Sequence, residues 1–166
     1  MTKNTQVAPA RYEPLMSEYL AKHKANERWT INTIDWDGTT LKAAVSLTGW
    51  TTSETDNNLF HVSIFSIREI EAQLRIIGLH LKLGLERKAA EVWLLKCIEE
   101  CRKAIRDPNN VIVTINFNIR PSKSGKLLSE ARSIITDLHG GLIDLSITNY
   151  IPLNFDEFRA HETDTV

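Results

Sequence analysis

His61, Glu69, Glu71 and Gln73 fall within one short stretch and are the residues best equipped for chemistry. An imidazole with near-neutral pKa suits proton transfer, a carboxylate can activate water, and an amide can hold that water in line. Together they describe acid–base attack on a carbonyl or an activated alkene. Ser63 and Ser66, in the same stretch, can donate hydrogen bonds to a carbonyl oxygen. Neither sits in a Gly-x-Ser-x-Gly elbow, which argues against a covalent serine mechanism. Each residue also has a plainer explanation. Ser66 and Glu69 form a capping box that starts a helix, His61 can be a packed strand residue, and Glu71 can face solvent. Gln73 stands among apolar neighbours, where a polar side chain must be satisfied or used.

Other constellations carry less. Arg120, Lys123 and Lys126 surround the turn Pro121 to Gly125 and could meet phosphates, although a basic turn also simply keeps a surface soluble. His80, seven residues after Gln73, fits packing as well as a groove. Gly140-Gly141 after His139 reads as a hairpin turn, because no helix begins there to cradle a phosphate. Cys97 and Cys101 cannot supply a four-ligand zinc site alone, so free thiols in a reducing compartment are expected, with no metal or cofactor.

The elements that must position these groups follow from periodicity. Tyr12 to Lys24 predicts a short N-terminal helix after a frayed start. Trp29 to Trp36 and Leu41 to Trp50 alternate as two strands around an Asp37-Gly38 turn. A loop, Thr51 to Asn58, leads to a short strand, Leu59 to Ser66. Ile67, Ile70, Leu74, Ile77, Leu81 and Leu85 then recur three and four apart, and Ala72, Ile76, Gly78, Leu79 and Leu83 widen the stripe. That predicts a long helix buried on more than one side. Ala89, Ala90, Trp93, Leu94, Cys97, Ile98, Cys101 and Ile105 trace another helical stripe, so Glu86 to Arg106 is expected to be a second, amphipathic helix. Three strands close the chain: Val111 to Arg120, Leu127 to Leu138 and Leu142 to Ile151.

This order predicts an α+β domain, residues 29–155, preceded by an extension over 1–28 and followed by a flexible tail over 156–166. A curved antiparallel sheet wrapped around one long helix, with an extra amphipathic helix after it, is the hot-dog arrangement. A cystatin-like roll is the competitor, although there the helices usually precede the strands. Hot-dog sheets commonly join edge to edge, which predicts a homodimer or an oligomer of dimers.

The 166 residues are 42% hydrophobic and 25% charged, which suits one compact domain with a core. With 20 basic and 21 acidic residues, the net charge of −1 builds no nucleic-acid-binding stripe. No apolar run approaches the roughly 20 residues of a membrane span, so a soluble, cytoplasmic protein is expected. Trp29, Trp36, Trp50 and Trp93, with Tyr12 and Tyr19, could line an acyl tunnel, though such residues more often build a core.

The stretch His61-Val62-Ser63-Ile64-Phe65-Ser66-Ile67-Arg68-Glu69-Ile70-Glu71-Ala72-Gln73-Leu74 resembles the FcoT-like family of hot-dog-fold acyl-CoA thioesterases, whose segment begins with histidine and ends in Asn-Gln-Leu. Leu145 to Pro152 is similar to that family's last strand, which also ends in Ile-Pro. The resemblance covers roughly residues 29–152. It departs at Ser63, where the family has Asn, at Ser66, where it has Glu, and at Ala72, where it has Asn. The resemblance implies an acyl-CoA or acyl-carrier-protein thioester as substrate. Its carbonyl would lie near the N-terminus of the central helix, where free N–H groups stabilise negative charge. His61, Gln73, Glu69 and Glu71 would then be the catalytic candidates, with Ser63, Ser66, Arg120, Lys123 and Lys126 as substrate-binding ones. Relatives of the family add an amine to an α,β-unsaturated acyl thioester, so hydrolysis and addition both stay open, as does dehydration of a 3-hydroxyacyl group. A non-catalytic domain binding an acyl chain or a protein partner is the alternative from another class.

Overall fold

The computed structural model describes residues 5–16, 28–50 and 60–154. Seven strands form one antiparallel sheet in the order β1-β2-β3-β5-β6-β7-β4. They are β1 (Thr5–Gln6), β2 (Arg28–Trp36), β3 (Thr40–Gly49), β4 (Trp93–Lys103), β5 (Val111–Pro121), β6 (Lys126–Thr136) and β7 (Leu142–Asn154). A one-turn helix, α1 (Pro9–Tyr12), follows β1, and the long helix α2 (Ile64–Lys82) lies between β3 and β4.

The β2–β3 hairpin turns at Asp37-Gly38 as the sequence indicates. The Asp37 carboxylate accepts from the Thr39 and Thr40 backbone N–H groups at 2.8 and 2.6 Å, and Gly38 adopts a φ of +95°. Strands β5, β6 and β7 form a meander with inward files of aliphatic side chains. Ile67, Ile70, Leu74 and Ile77 of α2 are wholly buried, and Leu81 nearly so. Gly78 permits close approach: a Cβ there would lie 2.4 Å from the Phe117 ring of β5 and 3.2 Å from Leu41 Cδ1 of β3. The helix ends in a Schellman motif. Leu85 N–H donates to His80 O at 2.9 Å, Gly84 N–H donates to Leu81 O at 3.0 Å, and Gly84 takes a φ of +68°.

Several expectations are corrected. The predicted second helix over Glu86 to Arg106 does not exist: Trp93–Lys103 is strand β4, paired antiparallel with β7, with Cys97 opposite Ile147 and Glu99 opposite Leu145. As an edge strand it is exposed on its outer face and lacks clean alternation, so its spacing imitates a helix. The β7 ladder overrides the helix-forming composition. The short strand over Leu59 to Ser66 is not formed in its described part, where residues 60–63 are irregular and α2 starts at Ile64. The helix is capped by Ser63, whose Oγ accepts from Ser66 N–H at 3.2 Å, so the cap lies three residues before the predicted one.

The N-terminal helix is only the turn Pro9–Tyr12, continued as a 3-10 turn over Glu13–Leu15. Thr5–Gln6, expected to fray, pairs with Asp35 and Trp36 of β2. The rest of the predicted N-terminal helix, the whole of the Thr51 to Asn58 loop and the tail over 156–166 lie outside the described residues.

Candidate functional site

The first turn of α2 gathers three of the sequence candidates. His61 is exposed in the irregular segment before the helix, Ser63 is the cap, and Ser66 is fully buried, with Ser63 Oγ donating to Ser66 Oγ at 3.2 Å. Glu69 and Gln73 are buried one and two turns further on, at 9% and 0% exposure. Glu71 is buried too, at 2%, which corrects the expectation that it can face solvent.

Glu71 belongs to a polar seam that runs inward from the β4 edge. Arg68, Glu71 and Arg75, three and four apart, share one stripe of α2 and meet three different strands. Arg68 Nε donates to Glu99 Oε2 of β4 at 2.8 Å, and this bond to the carboxylate raises the Arg68 pKa. Arg75 Nε donates to both Glu71 oxygens, at 3.1 and 3.2 Å, and Ser133 Oγ of β6 donates to Glu71 Oε1 at 2.9 Å. Arg75 Nη1 then donates to Asn149 Oδ1 of β7 at 2.6 Å. Cys97, on the inward side of β4, has its thiol pKa raised by burial.

Such a setting fixes a carboxylate's orientation among apolar neighbours, and an oriented carboxylate can take a proton from a water or hold it in line. Within the seam, Asn149 Nδ2 and Ser129 Oγ are buried without hydrogen-bond partners among the described residues, and the two residues face each other across β6 and β7.

The basic candidates lie elsewhere. Glu71 sits level with Ser133 and Gly78 level with Phe117, so α2 runs toward the β5–β6 turn and its N-terminus points away from it. Arg120 is paired with Glu130 at 2.7 Å, Lys126 bonds Asn154, and Lys123 is exposed on the turn. One protomer therefore does not bring them to the helix N-terminus. His80 is fully buried; its Nδ1 lies 2.8 Å from Ile76 O, and burial lowers its pKa. Of the tryptophans, Trp29 is buried, Trp36 half-buried, and Trp50 and Trp93 are exposed.

Arg75, Ser133 and Asn149 were not singled out by the sequence reading. A signal existed: Ser129 and Ser133 interrupt the file Leu127, Ala131, Ile135, and Asn149 interrupts Ile147, Ile151 at the inward parity.

Open surface cavities of about 470, 590 and 280 Å³ are lined by other residues. The first lies on the outer face of the sheet, among Lys96, Ile98, Asn116, Arg132 and Thr148. Among the described residues, no cluster of His, Cys, Asp or Glu is able to hold a metal ion, and no helix is long and apolar enough to cross a membrane.

No protein-family model and no curated protein sequence matches the chain. Solved structures do. A conserved protein from Pseudomonas aeruginosa is 12% identical, with 86% of this chain and 99% of that one covered, at a TM-score of 0.52. A hypothetical thioesterase from Streptococcus pneumoniae, solved with coenzyme A, is 11% identical over 76% of this chain and 88% of that one, at 0.44. A hot-dog-like protein from Thermanaerovibrio acidaminovorans is 13% identical over 76% and 90%, at 0.45. The likeness to the Pseudomonas protein shows a shared fold, whereas the other two scores fall below one half.

Proposed function

We propose that this chain is a hot-dog-fold enzyme of the FcoT-like kind that processes acyl-CoA or acyl-carrier-protein thioesters as a cytoplasmic homodimer in lipid or secondary metabolism. The observation that carries this reading is the stripe Arg68, Glu71 and Arg75, in which the Glu71–Arg75 ion pair is buried. A buried ion pair stabilises a fold little better than apolar residues of the same volume. Its place on the central helix, beside a sheet edge that no other strand among the described residues pairs with, suits a site completed between two copies.

In this reading the thioester carbonyl sits at the N-terminal end of α2, where backbone N–H groups oppose the charge developing on oxygen. Helical side chains lean toward the N-terminus, which directs Glu71 to that end. Water attacks the carbonyl carbon and gives a proton to the Glu71 carboxylate. The carbon–sulfur bond then breaks, and the departing thiolate takes that proton, with exposed His61 as a relay. Gln73 holds the water, and Ser63 and Ser66 shape the helix end. Arg120, Lys123 and Lys126 belong to the basic turn that a phosphate-bearing carrier would meet. With an enoyl thioester the same groups support addition of a nucleophile in place of cleavage.

A second reading, a non-catalytic acyl- or protein-binding domain, is favoured by one observation: both Glu71 oxygens are already engaged within the fold. Thiol release and product mass, measured over saturated and α,β-unsaturated acyl-CoA and acyl-pantetheine thioesters, separate the readings. Thiol release lost in Glu71→Gln, Gln73→Ala or His61→Ala supports a thioesterase. A mass gain without release supports addition, and silence in both channels overturns the enzyme reading.

A further inference from the structure

Two buried polar groups on the inner face of the sheet have no hydrogen-bond partner among the described residues, and they stand on opposite residues: Ser129 Oγ of β6 and Asn149 Nδ2 of β7, both residues fully buried. Turning the Asn149 amide round would not relieve this. Its Oδ1 accepts from Arg75 Nη1 at 2.6 Å, and a guanidinium carries donors only, so the amide N–H groups must point elsewhere. Buried donors without acceptors cost free energy, and in a native fold they call for an occupant.

The chemistry of the pair selects that occupant. Asn149 offers N–H donors and Ser129 an O–H, flanked at the same inward parity by Leu127, Ala131, Ile147 and Ile151. A water held here would bring two protons of its own, and of the two groups only Ser129 Oγ could accept one. A carbonyl oxygen needs donors alone. It is also neutral, which suits the place, because the charge of Arg75 is already matched by Glu71.

The donors lie beside an open flank. Leu94 of β4 stands opposite Asn149 and so shares the inner face, yet it is 59% exposed. Cys97, opposite Ile147 on the same face, is half-buried and lies within the fields of Glu71 and Arg75. An apolar flank therefore runs along β4 from the Glu71 end of the seam to Asn149. Its length follows from β6: Ser133 touches Glu71, and Ser129 is four residues away, about 13 Å along the strand. An extended chain gains about 1.2 Å per bond, so roughly ten bonds cover that distance.

We infer that the acyl chain of the thioester lies along this flank and carries a carbonyl oxygen, roughly ten bonds from the thioester carbon, that Ser129 and Asn149 bind. The substrate class is then a long-chain oxoacyl thioester. This deepens the acyl-thioester reading above and rests on it.

The test compares dodecanoyl-CoA with the same thioester carrying an oxo group on its eleventh or on its fifth carbon. Thiol release should show a KM about tenfold lower for the eleventh-carbon form than for the other two, as befits the hydrogen bonds gained. In Ser129→Ala that ratio should fall toward one. Without ligand, the same variant should melt higher than wild type, because it loses a buried hydroxyl that has no partner.

Equal KM values for the three thioesters, or a ratio that Ser129→Ala leaves in place, overturn the oxoacyl assignment, while the thiol release itself keeps the thioesterase reading. A lower Tm in Ser129→Ala shows that the hydroxyl already holds a water or another partner, and overturns the assignment as well. If none of the three releases thiol, the enzyme reading fails, and calorimetric titration with the same compounds decides the assignment alone. Binding of the eleventh-carbon form about tenfold tighter supports it, and equal or absent binding overturns it.

Discussion

Removing the Glu71 carboxylate should be among the most damaging single changes available to this fold. Glu71 and Arg75 have side chains only 2% and 7% exposed. Glu71→Leu leaves the Arg75 guanidinium buried with a single amide oxygen, that of Asn149, and takes the acceptor from Ser133. Breaking a buried pair from one side costs about 3–5 kcal/mol. At about 3 °C per kcal/mol for a chain of this size, Tm should fall by roughly 10 °C. The double change Glu71→Leu/Arg75→Met removes both charges and should recover more than half of that loss, because replacing a buried pair by apolar residues is often near neutral. Thermal unfolding followed by circular dichroism, with urea midpoints at unchanged slope, measures both. A Glu71→Leu protein within about 2 °C of wild type, or a double variant no more stable than the single one, would refute the seam as a coupled ionic unit.

Three further outcomes are expected. Ser63→Ala removes the α2 cap and should cost about 1 kcal/mol, read as a shift in urea midpoint. Gly78→Ala gains helix propensity but drives a Cβ into the Phe117 ring, which is held edge-on to Trp36 at 5.9 Å, so a net loss of about 1–2 kcal/mol should appear in the same assay. Burial lowers the His80 pKa, with Lys88 acting in the same sense and Glu91 against it, so the unfolded chain binds this proton first. Stability should therefore be full above about pH 6.5 and fall as pH drops toward the folded value, and His80→Gln should flatten that part of the profile in urea titrations between pH 7 and 5.

Much of the fold is legible in the sequence, and the failures have physical causes. The spacing of Ile67, Ile70, Leu74, Ile77 and Leu81 announces α2 because that helix is buried on more than one side. The alternation in β5, β6 and β7 is clear because each has one face on the core. Strand β4 is misread because an edge strand covered by nothing among the described residues keeps apolar residues outside, and Leu, Lys and Glu are good helix formers. Within the candidate site, Glu71 and Gln73 stand out as polar residues among aliphatic ones. Arg75 does not, since an arginine on a helix is ordinarily solvated, and its burial depends on Asn149, 74 positions away.

The order of the strands also sets a timetable for synthesis. β4 is made before β5, β6 and β7, yet its neighbour in the sheet is β7, with Cys97 paired to Ile147 fifty positions later. At about 5–20 residues per second, that gap is several seconds of translation. During it the Trp93-Leu94-Leu95 stretch has no ladder to join, and a strand made much later, β7, is the one that lets an earlier strand fold. A chain stopped short of β7 would carry β4 as an orphan, and chaperones should engage such a chain at that apolar segment.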